Sequence, residues 1–233
     1  MQNLFVPAFA LLLAGSLPLF AAPTSVHAQQ APAPQAATPQ QTTDTINKVQ
    51  AFYDKSSTFK SDFQQKFWVK AYNKEKSSSG AVTFSKPGKM DWQYQDPAGN
   101  RVVSDGANLK VYEAANKQMF EQTVDKSQYP AALSFLTGQG KLTDTFNFEL
   151  FPGEKMSFPG GVVLVGVPKV VSQAYTKVLF YVDNATSQVR RVMVIDGQGN
   201  RNRFDFNNPR INEAVTPAQF TFTPPPGTSI VKP

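Results

Sequence analysis

From Phe59 onward, apolar and polar positions alternate. Phe59, Phe63, Phe67, Val69 and Ala71 interleave with Lys60, Asp62, Gln64, Lys66, Trp68 and Lys70, and a period of two marks a half-buried strand. Just upstream the period is different. In DTINKVQAFYDKS, residues 44–56, Ile46, Val49, Phe52 and Tyr53 recur at helical spacing, with Thr43 or Asp44 placed as the cap. An amphipathic helix therefore opens the domain and must lay one face on something apolar. After the polar turn NKEKSSSG, alternation resumes as one strand in GAVTFSKPGKMDWQY, residues 80–94, with Phe84, Met90, Trp92 and Tyr94 on one face. Run straight through, the same alternation puts Lys86 on that apolar face, unless Pro87 and Gly88 shift the register and return it to solvent.

Short strands separated by turn signals continue to the end of the chain. Asp96–Asn100 is a turn, Arg101–Ser104 a strand, Asp105-Gly106 a turn, and Leu109–Glu113 and Gln118–Val124 are strands. The single break is residues 129–142, YPAALSFLTGQGKL, where Ala131–Leu136 reads as helical and Gly138 and Gly140 stop it. Strands follow at Phe146–Leu150, Val162–Val167, Lys177–Val182, Gln188–Ile195, Arg201–Phe206 and Phe220–Phe222, with Asp196-Gly197 and Gly199-Asn200 punctuating a hairpin. Roughly eleven antiparallel strands, each with one wet face, and two helical interruptions suit a mainly β fold. The expected architecture is a single curved antiparallel sheet forming an incomplete barrel, with helices covering the mouth. A two-sheet sandwich would want a second buried layer instead of two helices. The aromatics, 19 Phe against 7 Tyr and 2 Trp, would line the concave side as core or as the wall of an apolar ligand cavity.

The ends of the chain narrow the picture. Residues 1–28 carry an apolar run centred on Ala8–Leu13 and end in Val26-His27-Ala28, so they read as a signal peptide cleaved after Ala28. Gly15 and Pro18 interrupt the run, which argues against a membrane-spanning helix. Residues 29–43, rich in Pro, Ala and Gln and without charge, read as a disordered linker. Residues 44–233 then form one domain and hold the whole formal excess of six positive charges. The basic residues are scattered, with Arg190-Arg191 the one adjacent pair, which does not favour a nucleic-acid face. A mildly basic surface instead suits acidic partners or anionic membranes at long range.

Cysteine is absent, and the one histidine, His27, falls within the expected signal peptide. No disulfide, thiol nucleophile, lipid anchor of its own, His-based triad or usual zinc site is expected of the exported chain. Carboxylate chemistry would need two acids converging on one cleft. The local candidates are Asp91, Asp96, Asp105 and Glu113, but Asp96 and Asp105 stand in DP and DG turn contexts where Asp is favoured for backbone reasons.

Read together, TFKSDFQQKF, GAVTFSKPGKMDWQYQDP, VVSDGANLKVYE, SFLTGQGKL and AQFTFTPPPGTSIV resemble, in order, the periplasmic outer-membrane lipoprotein carrier family, LolA. The likeness runs from about Asp44 to Val231, and it is the ordered set that is specific. It implies an incomplete, highly curved antiparallel barrel with a helical lid. It also implies a periplasmic activity. Such carriers accept triacylated lipoproteins from an inner-membrane ABC transporter, shield their acyl chains, and pass them to an outer-membrane receptor. The family usually has Arg at the position of Lys86, hydrogen-bonded to the lid. The resemblance therefore implies a latch at Lys86, looser for having a point ammonium in place of a planar fork.

Phe67, Val82, Phe84, Met90 and Trp92 are the candidate acyl-chain wall. No cofactor, metal or catalytic residue is expected, nor any nucleic-acid partner, and the chain should be a monomer. No nucleotide-binding G-x-x-x-x-G-K-[ST] loop is present, so the work of extraction would come from the transporter. The alternatives are a lipid- or lipopeptide-binding sensor or chaperone of the same fold, and a carboxylate-based glycan-active enzyme.

Overall fold

The computed structural model describes residues 37–124, 135–138 and 140–232. The first helix, α1 (Pro39–Asp54), starts five residues before the sequence pattern suggested. Thr38, not Thr43 or Asp44, is its N-cap: its side chain accepts from Gln41 N–H while the Gln41 side chain accepts from Thr38 N–H. Pro39 occupies the first helical position, where its missing N–H is no loss. The stretch 39–43 expected to be linker is therefore the first turn of this helix.

Twelve strands form one sheet: β1 (Thr58–Val69), β2 (Lys74–Ser85), β3 (Lys89–Asp96), β4 (Arg101–Asp105), β5 (Asn108–Glu113), β6 (Gln118–Thr123), β7 (Phe146–Pro152), β8 (Gly161–Pro168), β9 (Lys177–Asp183), β10 (Val189–Ile195), β11 (Arg201–Ile211) and β12 (Ser229–Val231). Their order is β12-β6-β5-β4-β3-β2-β1-β11-β10-β9-β8-β7. All neighbours are antiparallel except β12, which pairs parallel to β6. The sheet is curved and open, with β7 and β12 as its edges, so the expected incomplete barrel is what forms. One continuous core joins strands as far apart in the order as β5 and β7. A short helix, α2 (Leu142–Thr145), leads into β7.

Several local readings change. GAVTFSKPGKMDWQY is not one strand but the β2–β3 hairpin, with residues 86–88 as its turn. Lys74 to Gly80 of the supposed turn NKEKSSSG belong to β2, and the reversal is made by Lys70–Tyr72 and by Asn73 in the left-handed region. Phe220–Phe222 is not a strand. Pro217–Phe220 is a 3-10 turn, and this segment straps the convex face: Phe220 is buried, Phe222 packs on Tyr112, and Lys110 Nζ donates to Phe222 C=O. The helix expected at 131–136 lies largely outside the described residues; Phe135–Thr137 form a 3-10 turn.

On the convex side of β8 and β9, Val163, Val165, Leu179 and Tyr181 form a second, smaller core with Phe151, Met156 and Phe158. Strand direction sorts the connections into two ends. One carries the β2–β3 turn and the C-terminus of α1; the opposite end carries the β1–β2, β3–β4, β8–β9 and β10–β11 connections.

Candidate functional site

The concave face is apolar because strand parity and cross-strand register agree. Phe59 stands opposite Phe84, Phe84 opposite Met90, Val82 opposite Trp92, and Trp92 opposite Val102, and directly opposed residues share a face. Trp92 is 0% exposed and is ringed by Phe63 at 4.9 Å, Phe204 at 5.2 Å and Phe84 at 5.6 Å between centroids. Gly80 makes room for this cluster: a Cβ there would lie 2.9 Å from the Phe63 ring and 2.0 Å from Gln93 C=O.

Two elements roof this face. Ile46, Val49 and Tyr53 of α1 point into it, all buried. From the other side come Phe135 and Leu136, also buried, with Phe135 edge-on to both Tyr53 (5.0 Å) and Phe180 of β9 (5.4 Å). Tyr53 is anchored further, because its hydroxyl accepts from Val189 N–H at 3.1 Å. Burial pushes its pKa well above the ordinary tyrosine range, outweighing that hydrogen bond and the nearby Arg190 charge. Two grooves flank α1. One, about 420 Å³, lies between Thr43 and Ile46 on the helix and Phe146 and Phe148 on β7. The other, about 520 Å³, runs past Gln41, Asp44 and Lys48 toward Leu150 and Val162.

Lys86 sits in the β2–β3 turn and joins the roof to the sheet. Its ammonium donates to Tyr53 C=O and, at 3.5 Å, to Asp54 C=O. These are carbonyls of the last turn of α1, which holds no basic residue of its own, so Lys86 supplies the cation that a helix C-terminus favours. The 135–138 turn closes over the same place: Gly88 N–H donates to Thr137 C=O at 3.0 Å. Gly138, at φ +74°, packs so closely that a Cβ would fall 2.7 Å from Lys86 Cδ.

Of the residues singled out from sequence, Val82, Phe84, Met90 and Trp92 come together in the concave core. Phe67 does not join them; it lies toward the far end of β1, half-buried, opposite Lys76 and Asn202. Sequence reasoning did not single out Tyr53, Phe135 or Leu136 as site residues. The signals were the helical spacing of Tyr53 and the apolar pair of SFLTGQGKL just before two glycines.

Of the four carboxylates, Asp91, Asp105 and Glu113 are engaged locally. Asp91, on the convex side, is buried against Arg101 (2.9 Å) and Gln93 (2.6 Å). Partial burial raises the Asp105 pKa, but N–H donors from Asn108 and Ala107 more than offset this and hold it below the usual range. Glu113 takes a hydrogen bond from Asn116, and Asp96 ends β3 opposite Ser79. Among the described residues no group of three or more His, Cys, Asp or Glu is placed to hold a metal.

Residues 54–223 match the family described as Outer membrane lipoprotein carrier protein LolA. The chain is similar to the outer-membrane lipoprotein carrier protein of Chromobacterium violaceum, 26% identical over 186 residues that cover 80% of this chain and 86% of that one. It is 27% identical to the corresponding protein of Bordetella avium, again over 186 residues and with the same coverage. An uncharacterized conserved protein from Thermus thermophilus shares the fold, with a TM-score of 0.51 at 13% identity, covering 83% of this chain and 100% of that one. The family match spans most of the described domain and includes the β2–β3 hairpin, the roof turn and the convex strap: the chain belongs to the outer membrane lipoprotein carrier protein family, LolA.

Proposed function

We propose that this protein is a periplasmic carrier that takes the acyl chains of lipoproteins leaving the inner membrane against its concave face and delivers them toward the outer membrane. The observation that supports this most is the construction of the roof. An aromatic-rich concave face is covered by α1 and the 135–138 turn, and polar contacts from Lys86 and Gly88 tie them to one hairpin. Apolar groups held by polar ties can be exchanged for other apolar groups. Val82, Phe84, Met90 and Trp92 are the proposed wall, and Lys86 the proposed latch. Met90 is unbranched and adaptable, which suits a ligand of variable shape.

At about 0.8 kcal/mol per CH₂, one long acyl chain gains on the order of 10 kcal/mol on leaving water. Lifting a triacylated lipoprotein out of a bilayer therefore needs work from outside this chain. An ATP-driven transporter in the inner membrane is the proposed source, and an outer-membrane receptor the proposed recipient. The test is to add the purified protein to spheroplasts synthesising a labelled triacylated lipoprotein, with albumin and heat-denatured protein as controls. A soluble one-to-one complex that depends on the transporter is expected. Binding of lipid without transporter dependence would favour a sensor or chaperone over a carrier.

A further inference from the structure

We propose that the end of the sheet opposite Lys86 is a docking face for an anionic phospholipid surface. Three connections meet there. Lys70 N–H in the β1–β2 turn donates to the Asn200 side chain at 2.9 Å, and the Lys70 side chain lies against Gly199 of the β10–β11 turn. Thr176, in the β8–β9 connection, donates its N–H to Ile195 C=O at 2.8 Å, beside the same turn. The three connections are thus one continuous surface, and this contact does not depend on any cargo.

Its composition is unlike the rest of the molecule. Segments 66–77, 169–177 and 195–203 hold eight basic residues and two acidic ones, so the remainder of the chain has fifteen of each and the entire excess of +6 sits at this end. Lys66 is paired with Glu75, and Arg203 with Asp205. Asp196 is turned inward, accepting from Gln198 and Asn200 within its own turn. Lys70, Lys74, Lys76, Lys169 and Lys177 are exposed and make no ion pair among the described residues.

Apolar tips stand among these cations. Tyr72, Val170 and Val171 are 74%, 82% and 95% exposed, and they are the most exposed large hydrophobic side chains among the described residues. Trp68 donates its indole N–H to the side chain of Asn73, next to Tyr72, and carries the Arg201 guanidinium over its ring at 5.0 Å. Lysines around protruding aromatic and aliphatic tips match a bilayer surface, where phosphates meet the cations and the interfacial layer accepts the apolar tips. An acidic protein would use the charge but leaves the tips without a role.

The test is co-sedimentation of the purified protein with vesicles of phosphatidylcholine alone or mixed with phosphatidylglycerol, at low and high salt. Binding to the mixed vesicles only, lost at high salt, is expected. Each cation removed from this end should weaken partition by about fivefold, so Lys70→Glu/Lys74→Glu/Lys169→Glu should abolish it. Tyr72→Ser/Val170→Ser/Val171→Ser should weaken binding while leaving its salt dependence. Lys55→Glu/Arg210→Glu, at the opposite end, should leave binding within a fewfold of the parent. These sites are exposed, so unchanged thermal unfolding of each variant verifies the fold. Failure to bind phosphatidylglycerol vesicles overturns the proposal, as does equal loss from the opposite-end variant. Retention on immobilised polyglutamate without vesicle binding would assign the face to an acidic protein and overturn it too.

Discussion

Replacing Lys86 with Leu should tighten the binding of an acyl ligand, at a cost in global stability no larger than the latch itself contributes. The ammonium bonds to Tyr53 C=O, and a hydrogen bond to a charged group contributes about 1.5–3 kcal/mol. Lys86 is only part-buried, so the lower part of that range, about 1.5–2 kcal/mol, is appropriate. The loss strands no acceptor, because Tyr53 C=O also receives Ser56 N–H at 3.0 Å. The effect therefore falls on the roof-closed state, which loses this much relative to the roof-open and unfolded states alike. Removing about 1.5–2 kcal/mol from the closed state raises the open population roughly ten- to thirty-fold, and apparent affinity for a ligand that needs the open state rises in proportion while that state is minor. Titration with a fluorescent fatty acid measures the affinity, and urea denaturation measures the stability. Lys86→Arg should retain the latch, with a fork able to engage Tyr53 and Asp54 carbonyls together. A Leu variant that binds acyl probe no more tightly than the parent would refute the latch. A loss of global stability well beyond about 2 kcal/mol would equally refute it, because the lysine would then hold more than the roof.

Three further changes probe neighbouring parts of the argument. Gly138→Ala places a Cβ 2.7 Å from Lys86 Cδ at a positive φ, so it should loosen the roof turn by about 1–2 kcal/mol and raise acyl affinity in the same titration. Phe63→Ala, within the Trp92 cluster, should lower unfolding free energy by about 3–5 kcal/mol in urea. Tyr53→Phe strands Val189 N–H, at a cost of about 1–3 kcal/mol near neutral pH. The raised pKa of Tyr53 means its contribution is complete below the unfolded-state value of 10.0 and declines as pH rises above it. Stability of the parent should therefore fall more steeply above pH 10.0 than that of Tyr53→Phe, and a matching slope in the two proteins would contradict the burial of that hydroxyl.

The sheet was legible in the sequence because alternation survives wherever one strand face is wet and the other dry. The β2–β3 hairpin shows both the strength and the limit of that signal. Reading residues 80–94 as one strand put Phe84, Met90 and Trp92 on the same face, and they do share it. Phe84 and Met90 are register partners across the turn, and an even spacing preserves the face whether the chain runs on or folds back. Lys86 has no such partner, so parity alone could not place its side chain.

Residues 74–77 looked like a turn because all four are exposed; a strand that buries neither face carries no period. The β12 strand has three residues, too few for alternation to register. Thr38 with Gln41 is a readable capping box, but the Pro/Ala/Gln composition around it hid the helix start. In the concave core, apolar patterning brought out Val82, Phe84, Met90 and Trp92, but it also drew in Phe67, which lies toward the far end of β1. The roof was less visible because Phe135 and Leu136 act from a turn, where no periodicity marks them.

The fold and the proposed cargo draw on the same apolar surface, and this bears on reversibility. Ile46, Val49, Tyr53, Phe135 and Leu136 are the roof residues that cover the concave face. At about 1.5–3 kcal/mol for each side chain removed from water, covering that face gains the roof on the order of 10 kcal/mol. One long acyl chain gains a similar amount. Cargo that displaces the roof therefore exchanges one apolar contact for another, and the net affinity is a small difference between large terms. A carrier needs that balance, since a concave face left open to water would hold its ligand too tightly to hand it on. Lys86 shifts the balance by only one or two hydrogen bonds, yet near equality that is enough to decide which occupant the sheet keeps.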